Sequence, residues 1–188
     1  QLLHYGAAAQ TYFDRNTENL ADTGITGITL QELPTAAPEE MSVTGGSETV
    51  RFYAASLVYR DRISLRVYFA GDVTGCSFTA NGKAVTPTQK DQLYYVEVTD
   101  ILPQRLDRQA VVHVTAADGS AVTVRYSPLN YLVRMGQKGS EDLRALLRAV
   151  YNYYLAAESY VSAIPLPKLT VRYDDVLDLT AGDFGMTE

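Results

Sequence analysis

The densest run of acids in the chain is "YDDVLDLTAGD", which holds Asp174, Asp175, Asp178 and Asp183. Oxygen ligands at alternate positions can hold Ca²⁺, and two carboxylates flanking a sugar suffice for glycoside hydrolysis. The run lacks the Asp-x-Asp-x-Asp-Gly spacing of a calcium loop, and Val176 and Leu177 interrupt it. Asp61 lies between Arg60 and Arg62 in "YRDRI", the pattern of a solvated hairpin tip. Asp72, Asp91 and Asp100 sit beside turn signals, where aspartate supports the backbone bend. None of these acids has a partner visible in sequence. Nucleophilic chemistry finds no better footing. Cys76, the single cysteine, opens the alternating stretch "CSFTANG" and reads as a small buried or edge residue. A reactive thiol needs a nearby base, and the only histidines, His4 and His113, lie in no recognisable motif. His113 alternates with valines in "VVHVT", the setting of a sheet residue satisfied by a neighbour. There is no Gly-x-Ser-x-Gly elbow, His-Glu-x-x-His, P-loop or dinucleotide glycine fingerprint. The sequence therefore offers no catalytic residue, no metal site and no cofactor.

Aromatic residues are the other chemical resource. The chain has 14 tyrosines and no tryptophan. A tyrosine joins an apolar ring to a polar tip and suits half-buried positions. Rings in rows on a sheet can also stack against pyranose faces. Tyr53, Tyr59, Tyr68, Tyr94 and Tyr95 fall on strand-like segments. Of the adjacent pair Tyr94 and Tyr95, one must point outward unless both sheet faces are covered. Tyr94, Tyr95, Tyr59 and Tyr68 are accordingly the candidate ligand-binding residues. The competing reading, which we prefer, is that helices cover that face and the rings pack between layers.

The elements that would carry these residues follow from periodicity. Residues 2–13 read as a helix with Leu2, Tyr5, Ala9 and Tyr12 close to one face. Glycines, prolines and acids from 24 to 47 read as a linker with one or two short strands. From Thr49 the period becomes two. "TVRFYAASLVYRDRISLRVYFAG" alternates on both sides of a charged tip, and Asn81-Gly82 and Asp118-Gly119 mark further hairpin turns. Ser127 and Pro128 are suited to start a helix and Gly136 to stop it. A longer helix begins at Ser140, with Glu141 and Asp142 where the helix dipole favours acids. Its apolar stripe runs from Leu143 to Val161, and Pro165 ends it. "LTVRYDDVLDLT" reads as one more strand. The sequence thus predicts an α+β domain: an antiparallel β-sandwich of about seven strands, immunoglobulin-like in general architecture, with two to three packed helices. The expected divisions are an N-terminal helix and turn at 1–23, the linker at 24–47, the sandwich at 48–126, a helical pair at 127–164 and a tail at 165–188.

One feature recurs. "YGAAAQTYF" at residues 5–13 returns as "YYLAAESYV" at 153–161. Tyr5, Ala8, Ala9 and Tyr12 align with Tyr153, Ala156, Ala157 and Tyr160. Residues four apart stack on one helical face, so small residues between tyrosines make a stripe that packs rather than reacts. Either the two helices lie side by side and close the chain, or the first is the last helix of a preceding repeat, or the likeness is simple coincidence of Ala-rich composition.

The helical ends carry a resemblance. "LLHYGAAAQTYFDRNTENLAD", with "LVYRDRISLRVYF", "LYYVEVTDILPQRLDR", "VRYSPLNYLVRM" and "LRALLRAVYNYYLAAESYV", resembles segments of large secreted surface and carbohydrate-active proteins of gut anaerobic Gram-positive bacteria. The resemblance covers most of the chain to about Val161, and the tail after Pro165 departs from it. It implies an accessory domain, repeated or appended to others, and carries over no functional residue.

Composition agrees with such a role. With 46% hydrophobic and 20% charged residues, 188 residues read as an ordinary globular domain. The net charge of −6 argues against a general nucleic-acid binder, and no apolar run is long enough to cross a membrane. A lone cysteine excludes an internal disulfide framework. The chain opens in helical register without a Met, as an excised or processed piece would. The leading expectation is a non-catalytic interaction or spacer module of an extracellular bacterial surface protein. The alternative is a carbohydrate-binding module. Partners in view are other domains of a parent protein, a glycan, or a host or cell-wall protein.

Overall fold

Alternation from Val50 onward folds into two antiparallel sheets in the computed structural model, which describes residues 2–14, 30–60 and 62–163. The described residues form helix α1 (Leu2–Tyr12), strands β1 (Ser42–Gly45), β2 (Val50–Tyr59), β3 (Ile63–Gly71), β4 (Ser77–Ala80), β5 (Lys83–Val85), β6 (Thr88–Lys90), β7 (Leu93–Val98), β8 (Ala110–Thr115) and β9 (Ala121–Tyr126), and helices α2 (Pro128–Gly136) and α3 (Glu141–Ala163). One sheet has the order β1-β9-β8-β4-β5 and the other β2-β3-β7-β6.

The two sheets face each other across an apolar interior. Leu65, Val67 and Phe69 of β3, Val112 and Val114 of β8, and Val122 and Val124 of β9 are fully buried. Phe69 meets Phe78 edge to face, with ring centroids 5.8 Å apart, and so joins the sheets. The same core continues through Leu129 and Leu132 of α2 into Leu143, Leu146, Leu147 and Val150 of α3.

The structure has nine strands among its described residues, where the sequence led us to expect about seven. Two causes account for the difference. "CSFTANGKAVTPTQK" divides: β5 pairs with β4 in one sheet, whereas β6 pairs with β7 in the other. Pro87 lies between them and has no N–H to continue a ladder. The segment read as a linker with one or two short strands contributes β1, which joins the sandwich as an edge strand on β9.

That segment also straps the helices. Gln31 exchanges two hydrogen bonds with the buried Asn152 side chain, donating its N–H at 2.8 Å and accepting from Nδ2 at 2.8 Å. Asn130 Nδ2 donates to the Glu39 carbonyl at 2.7 Å, and Arg148 pairs with Glu32 at 2.7 Å.

Helix α2 ends at Gly136 as expected, though not by a left-handed turn. A Cβ there would lie 2.6 Å from Leu33 Cδ1, so the glycine admits the strap. The local signals behave differently. Ser127 caps α2 with Asn130 in a reciprocal box, and Asn81 and Gly82 take the φ values of 51° and 80° that a tight hairpin requires. The tail strand expected within 165–188, Asp61, and the acids Asp174, Asp175, Asp178 and Asp183 lie outside the described residues.

Helix α1 runs antiparallel to α3. Tyr5 near its start stacks on Tyr153, whereas Thr11 near its end shares a groove with Glu141 and Arg144 at the start of α3. That groove, of about 740 Å³, is lined by Ala7 and Ala8 of α1, Ala145 and Ala149 of α3, and by Leu33 of the strap and Val133 of α2.

Candidate binding face

Register decides which side chains share the outer face of the four-stranded sheet. Leu65, Val67 and Phe69 point into the core, so Ser64, Arg66 and Tyr68 point out. Across β7, Tyr95 opposes Tyr68 and Glu97 opposes Arg66. Across β2, Ala54 opposes Tyr68 and Ser56 opposes Arg66. At the far edge, Thr88 and Lys90 oppose Tyr95 and Leu93. The outer face is therefore a layer of aromatic, charged and small residues on four strands.

Its centre is fixed by electrostatics. Arg66 Nε donates to Glu97 Oε2 at 2.8 Å, and Ser64 Oγ donates to Glu97 Oε1 at 2.6 Å. Partial burial opposes ionisation of Glu97, but the Ser64 hydroxyl and then the Arg66 guanidinium outweigh it and hold the carboxyl below its usual range. The guanidinium carbon lies 4.5 Å from the Tyr95 ring centroid, a cation–π contact. Tyr95 in turn leans on Tyr68, with centroids 5.4 Å apart and planes at 46°.

A β-bulge supplies the remaining aromatic. The β2–β3 register shifts between Phe52 and Ala54, leaving Tyr53 as the extra residue. Phe52 opposes the buried Phe69 and Ala54 opposes the outward Tyr68, so the bulge turns Tyr53 to the outer face, where it is 62% exposed. Beside it lies a groove of about 300 Å³ lined by Tyr53, Ala54, Ser56, Tyr68, Lys90 and Asp91, with Ala55 and Leu93.

The four candidate tyrosines separate. Tyr68 and Tyr95 share the outer face and touch. Tyr94 opposes the buried Phe69 and belongs to the inner side. Tyr59, at the end of β2, opposes the buried Ile63 and packs beneath α1, against Tyr5 and Phe13. Alternation along β7 sorts Tyr94 from Tyr95. Nothing local reveals that β2 carries an extra residue, so Tyr53 is the member of the face that the candidate set left out.

The helix-packing set also divides. Tyr5, Ala8 and Ala9 pack against the core, and Tyr153 stacks on Tyr5. Tyr12 meets Phe13 edge-on at 4.9 Å. Ala156 and Ala157 are half-buried, whereas Tyr160 is 70% exposed.

Residues with reactive side chains are engaged in the fold. His113 Nδ1 bonds Thr123 Oγ1 at 2.8 Å and its Nε2 bonds Thr115 Oγ1 at 3.1 Å. Burial, then the charges of Asp72 and Asp118, push the Cys76 thiol above its ordinary value. Asp118 accepts from Ser120 and Thr49 across the β8–β9 turn. Among the described residues no group of His, Cys, Asp and Glu is placed to hold a metal ion, and no helix is long and apolar enough to cross a membrane.

Fold and face together define a class: a two-sheet antiparallel sandwich with a helical layer, displaying an ordered aromatic and charged sheet surface. Comparison with protein-family models, curated proteins and solved structures finds no match to this chain.

Proposed function

We propose that this domain is a non-catalytic interaction module of an extracellular bacterial surface protein, making contact through the outer face of its four-stranded sheet. The observation that carries the reading is the coupled array Ser64–Glu97–Arg66–Tyr95–Tyr68, in which an ion pair orients an aromatic pair on an outer sheet face. Side chains fixed in advance lose less conformational freedom when a partner arrives. The extracellular setting rests on the resemblance of the helical ends. The two-sheet architecture suits an immunoglobulin-like module joined to other domains of a parent protein.

The test is adhesion. Beads coated with the full chain are expected to be retained on at least one of immobilised mucin, bacterial cell-wall sacculi or extracellular-matrix protein. Retention should fall when Tyr53 and Tyr95 are both replaced by Ser in a variant that keeps the wild-type circular dichroism. Failure to adhere to any of the three surfaces would remove the reading. A second reading, carbohydrate binding, is favoured by the groove beside Tyr53.

A further inference from the structure

We propose that the groove beside Tyr53 is a binding site for a short neutral saccharide. A pyranose lies against the Tyr53 ring while its vicinal hydroxyls reach Lys90 and Asp91. The assignment deepens the interaction reading and rests on it.

The groove has the parts such a ligand needs. Tyr53 projects from the bulge with most of its surface open. Ala54 and Ser56 are short, so a trough forms between that ring and the β6–β7 turn, with Tyr68 in the wall. Ala54 and Leu93 offer apolar contact to the C–H face of a sugar, and Ser56, Lys90 and Asp91 offer a hydroxyl, a donor and an acceptor. Asp91 is held at the turn with φ of 56°, and its carbonyl accepts from Gln89 Nε2 at 3.3 Å. The volume of about 300 Å³ falls at the small end of ligand sites, roughly 300–1,000 Å³.

Charge selects the ligand class. Among the described residues Lys90 and Asp91 are the only ionic groups lining the trough, and they cancel. An acidic glycan therefore finds no net attraction there. Of the other cations on this face, Arg66 is committed to Glu97 and to the Tyr95 ring, and Arg51, which opposes Ala70 on the far side of the bulge, does not line the trough. Tyr95 thus has its ring engaged, which leaves Tyr53 as the platform. A peptide added as a strand is disfavoured as well. β2 is the edge of this sheet, and the bulge at Tyr53 breaks the regular ladder that an added strand would need.

The experiment is calorimetric titration of the full chain with cello-, xylo-, manno- and galacto-oligosaccharides and with uronic and sialylated counterparts. At least one neutral oligosaccharide should bind, with little dependence on salt. Tyr53→Ala should weaken it at least ~tenfold, the equivalent of ~1.4 kcal/mol. Ser56→Leu, which fills the trough and spares the ring, should abolish binding while circular dichroism is unchanged. Tyr160→Ala, at an exposed tyrosine on α3, should bind as wild type. The proposal is overturned if no neutral sugar binds, if only acidic sugars bind and high salt releases them, or if folded Tyr53→Ala and Ser56→Leu bind as wild type. Retention of the chain on mucin, sacculi or matrix protein with a blank titration would overturn the saccharide site and leave the interaction reading standing. Loss of both would remove both.

Discussion

Tyr5 and Tyr153, which hold the same place in two similar helical segments, stack on each other with rings 1° from parallel and centroids 5.8 Å apart. The recurring tyrosine is thus its own partner across the α1–α3 seam. Helix α1 needs it. An isolated helix of 11 residues is marginal in water, and α1 has no fully buried residue. Removing either ring should loosen α1 without disturbing the sandwich. Tyr153→Ala is expected to lower amide protection across residues 2–12 and leave β3 and β8 as in wild type, as read by hydrogen exchange. The stacking contributes ~0.5–1.5 kcal/mol beyond area burial, measurable as the coupling in a Tyr5→Ala, Tyr153→Ala cycle. Equal loss of protection in the sandwich strands would show that α1 belongs to the global core instead.

Tyr59 tests the cost of an unpartnered group. Its ring packs on Tyr5 and Phe13 at 6.3 Å each, but its buried hydroxyl has no hydrogen-bond partner among the described residues. A buried polar group without a partner costs ~1–3 kcal/mol. Tyr59→Phe keeps the ring contacts and removes that cost, so the urea midpoint and Tm should rise. A fall in stability would mean that the hydroxyl is satisfied in solution.

The α2 cap should be among the most sensitive polar positions. Asn130 accepts from Ser127 N at 2.8 Å, receives the Ser127 hydroxyl at 3.0 Å, and donates to the Glu39 carbonyl at 2.7 Å. Ser127 and Asn130 are both buried, so water cannot replace the bonds between them. Ser127→Ala should lose ~1–2 kcal/mol, as at other N-caps. Asn130→Ala should lose more, ~2 kcal/mol or above, because it leaves the buried Ser127 N–H and hydroxyl unpartnered and also cuts the tie to the Glu39 carbonyl. Denaturant midpoints decide the order. Asn130→Ala costing no more than Ser127→Ala would show that the bond to Glu39 contributes nothing.

These contrasts mark how far the sequence alone reaches. The Ser127 cap and the Asn81-Gly82 turn were legible because their bonds and dihedrals close within a few residues. That one of Tyr94 and Tyr95 points outward was legible from period-two alternation, whereas its identity as Tyr95 rests on the pairing with β3. The bulge at Tyr53 was not legible. It exists only relative to β3, and "RFYAAS" reads as uninterrupted alternation without that partner. Tyr59 was misgrouped with the surface tyrosines for a similar reason: its cover comes from Tyr5 and Phe13, far away in the chain. Gly136 ends α2 as its residue type suggested, and it also makes room for Leu33, a contact that no local rule contains.

Alkaline pH should unfold this protein through its tyrosines. Burial, then the charges of Asp107 and Glu158, push Tyr154 up to about 12, with Arg105 opposing. Burial also raises Tyr5, Tyr59, Tyr126 and Tyr131. An unfolded tyrosine ionises near ~10. Between that value and the folded one, the unfolded chain has released protons that the native chain retains. Stability is therefore intact below the unfolded pKa and falls as pH rises toward the folded values. Tyrosinate absorbance and circular dichroism followed together against pH should show one fraction of rings ionising early and a second ionising in step with loss of the fold. Tyr154→Phe removes one contributor and should move the alkaline midpoint upward. An unchanged midpoint, with the variant as stable as wild type at neutral pH, would mean that Tyr154 ionises without unfolding the chain and that the strain of alkaline pH falls on the rings under α1.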